Sequence, residues 1–153
     1  MPIDWSSWPD SQPNIGNLAD VATFDDLLTN PATVIAVVGA TDAPFKFGGK
    51  IYRDLKHKGF RVLAVNPTRV TVDGDHVYPT LADLPEPPDI IDVVVPPDVG
   101  ISIAEQANEL GYKRIWYQPG SESTAIINYL DNHDFEYLAG PCIMIRARPL
   151  PNQ

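Results

Sequence analysis

The chain has 153 residues, 44% of them hydrophobic, with 20 acidic against 11 basic side chains and a formal net charge of −9. That length supports one ordinary core rather than two, and the negative balance excludes the electrostatic footprint of a nucleic-acid or anionic-membrane binder. Cys142 is the single cysteine, which excludes an internal disulfide, and the absence of a basic-then-apolar leader or a bilayer-length apolar run gives a cytoplasmic protein as the expectation.

Residues 1–30 read as an irregular arm carrying Trp5 and Trp8, followed by a short helix that starts at an N-cap on Thr23 and stops before Pro31. Residues 31–148 form the folded domain and 149–153 a tail. TVIAVVG (33–39) is a continuous β-branched run of strand length, the pattern of a central parallel strand. GKIYRDLKHKGF (49–60) is a helix with a basic last turn and Gly59 as its terminator. RVLAVNP (61–67) is a second strand. VDGDHVY (72–78) reads as a solvated loop turning at Asp73-Gly74, a better account of Asp73, Asp75 and His76 than a metal cluster. TLADLP (80–85) is a capped turn, and IIDVVVPP (90–97) a third strand stopped by proline. A helix capped by Asp98 and closed by Gly111 follows, then a fourth strand in RIWYQPG (114–120). A helix in SESTAIINYLDNH (121–133) and a fifth strand in FEYLAG (135–140) complete the series. Strands alternating with helices at this spacing specify βαβ units. The expectation is an α/β, Rossmann-like three-layer sandwich with a five-stranded parallel sheet in the order 3-2-1-4-5.

In such a sheet ligands lie beyond the carboxyl ends of the strands, where the strand order reverses. The loop after the first strand, GATDAPFKFGG (39–49), is neither GxGxxG nor GxxxxGK[ST]. Gly39 can expose its own and neighbouring amides, and Gly48 and Gly49 open the next helix, whose free N–H groups suit phosphate. Lys46 is placed to close over that phosphate or is an ordinary surface lysine; Thr41 donates to phosphate or stabilises the turn. The second strand ends in Asn66-Pro67-Thr68-Arg69, without the acidic residue that accepts from ribose hydroxyls in dinucleotide sites. That disfavours a nicotinamide cofactor with an unphosphorylated ribose and leaves NADP and coenzyme A, whose extra phosphate Arg69 can pair with. Val95, Pro96 and Pro97 offer a rigid apolar wall, or serve only to stop the strand.

Taken in order, VVGAT with Pro44, VNPT, YPTLADLP, DVVVPP, WYQPG and CIM resemble the small CoA-binding domain proteins, whose domain is similar to the nucleotide-binding domain of the succinyl-CoA synthetase alpha subunit. The likeness runs from about residue 34 to 144. It implies that Gly39, Ala40, Thr41, Lys46, Phe47 and Gly48 surround the CoA diphosphate and that Val65, Asn66, Pro67 and Arg69 border the adenosine. It also implies that Val95, Pro96 and Pro97 pack on the cofactor, with Gln118 and Gly120 near its mouth. Pro141 before Cys142 and the RAR after Ile145 depart from the family pattern, and the synthetase's phosphohistidine domain has no counterpart in these residues.

The catalytic inventory is empty: His57, His76 and His133 are scattered, Ser121 and Ser123 read as helix caps, and no acidic pair is set up for acid–base work. Cys142 reads as a buried thiol; placed near the pantetheine end it could instead form a mixed disulfide with CoA. The expectation is therefore a protein that binds coenzyme A or an acyl-CoA without chemistry of its own, in a regulatory or carrier role, with a homodimer or an unidentified protein as partner. The alternatives are an NADP-linked reductase, an acyl-CoA enzyme subunit completed by a partner, and a ligand-free Rossmann-like subunit.

Overall fold

The computed structural model describes residues 17–151, so Trp5 and Trp8 lie outside the described residues. Seven strands form one sheet: β1 (Val34–Val38), β2 (Arg61–Val65), β3 (Thr71–Val72), β4 (Asp75–Tyr78), β5 (Ile90–Val93), β6 (Arg114–Tyr117) and β7 (Glu136–Ala139). Their spatial order is β3-β4-β2-β1-β5-β6-β7. All pairings are parallel except β3 with β4.

This corrects the expected sheet of five strands in the order 3-2-1-4-5. The strand at 90–93 does not lie outside β2; it pairs with β1 on the opposite side, Ile35↔Ile90 through Val38↔Val93. The place beside β2 belongs to β4, through Ala64↔Val77 and Val65↔Tyr78. Asp73 (φ 51°) and Gly74 (φ 79°) are both left-handed, which folds β3 back on β4 as a tight hairpin where the sequence reading had a loop. β5 is buried along its whole length and so needs a neighbour on each side, which only a central position supplies. Counted in chain order, the six parallel strands run 3-2-1-4-5-6, the arrangement whose reversal point lies between the first and fourth.

Among the described residues five helices cover the two faces: α1 (Leu18–Leu27), α2 (Phe47–His57), α3 (Pro97–Leu110), α4 (Thr124–Asn132) and the short α5 (Ile143–Arg146). Strand alternation sorts the core into two layers. Ile35, Val37, Ile90, Trp116 and Leu138 meet Phe24 of α1, Ile51 and Leu55 of α2, and Ile143 of α5. Ala36, Val38, Ile91, Val93, Ile115 and Tyr117 meet Ile103 and Ala107 of α3 and Ile126 and Leu130 of α4. Trp116 anchors the first layer, with Phe24 edge-on at 5.4 Å and its indole N–H donating to the Pro141 carbonyl at 2.8 Å.

Two helix starts differ from expectation. The N-cap of α1 is Asn17, six residues before Thr23, its side chain accepting from Asp20 N–H at 2.8 Å; Thr23 sits mid-helix, its hydroxyl donating to the Ala19 carbonyl. α3 takes Pro96 as N-cap and Pro97 as its first residue, leaving Asp98 in the first turn, where its charge still favours the helix dipole. Ser123 does cap α4, accepting from Ile126 N–H at 3.2 Å, and Thr80 with Asp83 forms a capping box around the 3-10 turn Leu81–Asp83. Ser121 caps nothing; its own N–H donates to the Gln118 carbonyl.

Candidate functional site

At the carboxyl edge of the sheet, where β2 and β5 diverge on either side of β1, two cavities meet. The first, about 330 Å³, is walled by the ends of β1, β2 and β4 (Val38, Gly39, Val65, Asn66, Pro67, Thr68, Pro79, Thr80) and by α3 (Val99, Ser102, Ile103, Gln106). The second, about 430 Å³, is walled by Gly39, Thr41, Lys46, Phe47 and Gly48, the residues that lead from β5 into α3 (Val94, Val95, Pro96 and Pro97), and residues 118–121 after β6. Gly39, Val95 and Pro96 line both, so the two are lobes of one cleft.

The β1–α2 loop forms the ridge between them. Gly39 is left-handed at φ 101°, and a Cβ there would stand 2.6 Å from the Val94 carbonyl oxygen. Its own N–H donates to the Val65 carbonyl at 2.9 Å as part of the sheet, so this amide, expected to face the ligand, is committed. The available donors come from α2, which starts from Lys46 with no side-chain cap, leaving the first-turn amides at Gly48 and Gly49 without an intrahelical acceptor. Gly48 packs directly on Gly39: a Cβ on Gly48 would lie 2.0 Å from the Gly39 carbonyl oxygen. Thr41 does hold the turn, its Oγ1 accepting from Ala43 N–H at 3.1 Å, and its hydroxyl hydrogen stays free to donate outward.

Asn66 works as a staple. Its Nδ2 donates to the Ala40 carbonyl at 2.9 Å, while Oδ1 accepts from the Thr68 N–H and hydroxyl. The end of β2 is thereby tied to the loop above β1. Gln118 is likewise committed, donating to Asp92 and accepting from Ile143 N–H at 3.1 Å. Both line the cleft with amides that are already tied into the protein. Ala40 is fully buried beneath the loop, and Arg69 is exposed beyond the lining residues. The other predicted residues, Val65, Pro67, Val95, Pro96, Pro97 and Gly120, line one lobe or both.

The α3 wall is not among the residues expected from the sequence. Val99, Ser102, Ile103 and Gln106 recur at three- and four-residue spacing on a helix that packs over the ends of the strands; that spacing was visible, but not which stripe faced a cleft. Cys142 is buried, lines neither lobe, and has its thiol pushed up to about 11 by burial, so nothing in its placement favours the mixed disulfide. The hairpin acids are held by α2: Lys56 Nζ lies 3.1 Å from Asp73 and 2.9 Å from Asp75, and the Tyr52 hydroxyl donates to Asp75 at 2.7 Å.

Phe45 is the one non-glycine residue of the loop with a left-handed backbone (φ 67°), and its ring is 92% exposed. With no burial to offset the strain, Phe45→Gly is expected to raise stability by about 1 kcal/mol, read as a higher denaturant midpoint with unchanged slope, whereas Phe45→Ala keeps the strain.

No helix among the described residues is long and apolar enough to cross a membrane. The family model for the CoA binding domain matches residues 33–148. Among solved structures, a conserved hypothetical protein from Pyrococcus furiosus is 42% identical with a TM-score of 0.71, the alignment covering 74% of this chain and 97% of that one. A Thermus thermophilus protein is 29% identical with a TM-score of 0.73, over 83% and 95% of the two chains. A dinucleotide-forming acetyl-coenzyme A synthetase of Korarchaeum cryptofilum shares the fold, with a TM-score of 0.63 at 23% identity, over 81% of this chain but 30% of the synthetase. A cleft at the reversal point of a parallel sheet, bordered by an uncapped helix start, is thus found in a chain that belongs to the CoA binding domain family.

Proposed function

We propose that the protein binds coenzyme A or an acyl thioester of it across the two lobes and performs no chemistry of its own. The observation that carries this reading is the meeting of the lobes at Gly39, beside the open first turn of α2. A diphosphate at that ridge has helix N–H groups, Thr41 and Lys46 to receive it, while an adenosine and a pantetheine arm extend to either side. The adenosine goes to the first lobe, between the apolar Val65, Pro67 and Ile103, where Gln106 can read the base edge. Arg69 reaches the ribose phosphate from the rim. The arm goes to the second lobe, along Val94, Val95, Pro96 and Pro119. Among the described residues Lys46 is the only titratable side chain lining either lobe, so they set up no acid–base pair at the cleft, which supports a carrier or regulatory role over a reductase or a synthetase.

A thermal-shift series tests it. Coenzyme A in hundredfold excess over its dissociation constant is expected to add about 2.7 kcal/mol of apparent stability, with dephospho-CoA weaker and NAD inert. Arg69→Ala is expected to erase the preference for coenzyme A over dephospho-CoA while leaving dephospho-CoA binding unchanged. A midpoint that rises with NADP and not with coenzyme A overturns the assignment.

A further inference from the structure

Behind the wall of the second lobe stands a buried carboxyl that the cleft itself does not use. Gln118 lines that lobe but is only 1% exposed, because its side chain runs inward to Asp92. Asp92, in the middle of β5, is completely buried; Oδ1 accepts from Gln118, and Oδ2 has no hydrogen-bond partner among the described residues. Among the described residues its surroundings offer no counter-charge. Val37 flanks it on β1 and Trp116 on β6, whose indole N–H is taken by Pro141. From the turn before α5 comes the Cys142 thiol, and beyond it on α2 the Asp54 carboxylate, already paired with Lys58 at 2.6 Å. An ionised carboxylate here lacks a donor for one oxygen, and the polar side chain between it and the cleft is Gln118.

We propose that Asp92 is a positioning residue for the second lobe: protonated, it holds the Gln118 amide in the wall, so that occupancy of the lobe and retention of a proton on Asp92 are linked. This rests on the coenzyme A reading. Ionised, Asp92 needs a second donor, and water entering past Gln118 competes with the Ile143 N–H for that amide, loosening the turn at 118–121. A ligand seated in the lobe shuts out that water and makes ionisation costlier still. By linkage, the ligand prefers the protonated protein, and affinity falls as pH rises past the titration of the free carboxyl. Burial, opposed by the Gln118 hydrogen bond, pushes that carboxyl up to about 8, within reach of ordinary buffers.

The test is calorimetric titration of the intact chain with coenzyme A from pH 6 to 9, wild type beside Asp92→Asn, each in two buffers of different ionisation enthalpy. Comparing the two proteins cancels the ionisations of coenzyme A itself. The wild type is expected to take up a proton on binding near pH 8 that the variant does not, and to lose affinity relative to the variant by about tenfold for each unit the ligand moves the carboxyl. A second measurement needs no variant at Asp92: its ¹³C carboxyl resonance in the wild type titrates at higher pH with coenzyme A present, a displacement that Gln118→Met abolishes. Tight binding at pH 6 with superposable profiles for wild type and Asp92→Asn, or a carboxyl titration indifferent to coenzyme A, overturns the proposal and leaves the coenzyme reading standing. No binding by the wild type at any pH overturns both.

Discussion

Gly48→Ala is expected to destabilise the protein by about 3 kcal/mol or more and to abolish coenzyme A binding, although alanine is the better helix former. In an exposed helix the same exchange gains about 1 kcal/mol. Here the new methyl would stand 2.0 Å from the Gly39 carbonyl oxygen and 2.9 Å from its carbon, and neither can withdraw. Gly39 is held from below by the bond from its N–H to Val65 and from the side by Val94 and Val95. Relief must come from moving the start of α2 away from the ridge, which carries the first-turn amides out of reach of a diphosphate. Gly100→Ala supplies the contrast. Its Cβ would meet the tips of Tyr117 and Ile126 at 3.2 and 3.3 Å and a carbonyl at 3.3 Å, contacts that a few tenths of an ångström relieve, so a change within about 1 kcal/mol is expected. Chemical denaturation with and without coenzyme A measures both; a Gly48→Ala protein of wild-type stability and affinity means the close approach of α2 to the ridge is not required.

The strand–helix series was legible because β-branched runs such as 34–38 and glycine or proline stops mark each element. The strand order was not, and the reason is local. VTVDGDHVY carries the Asp-Gly turn that signals a tight hairpin, but its arms are two and four residues long, too short to show a period. With β4 that short, the next long run is the natural candidate for the place outside β2, and nothing in the sequence marks its crossing to the far side of β1. The ridge of the cleft was legible through its glycines; the commitments of Asn66 and Gln118 were not, because an amide that staples two loops and an amide that reads a ligand look alike in one dimension. Asp92 is the sharper case. In IIDVVV it sits in an apolar run without any feature to distinguish a buried acid from an exposed one, and only the flanking positions of β1 and β6 reveal its burial.

That burial sets the second large effect, on stability against pH. The folded-state pKa of Asp92 is raised from 3.8 to about 8, so the native protein holds a proton that the unfolded chain has released. Its contribution is therefore fully present below the unfolded value and is lost as pH rises toward the folded one. The slope is at most about 1.4 kcal/mol per pH unit, downward between about pH 4 and 8, opposite in sign to the usual acid denaturation. Asp75 and Glu86 act the other way. Lys56 with Tyr52, and Arg61, hold their carboxyls low, giving stability present above the ordinary carboxylate range and lost on acidification, but on exposed pairs screened by water. The two trends cross near pH 4 to 5, where maximum stability is expected. Asp92→Asn keeps an oxygen for Gln118 and removes the titration, so its denaturation midpoint is expected to stay flat from pH 5 to 8 while that of the wild type falls. Above pH 8 the variant becomes the more stable of the two by several kcal/mol, an amount the buried, solvent-excluded site does not discount. Parallel curves for the two proteins across that range place the native carboxyl in contact with water and remove the physical basis for a raised pKa.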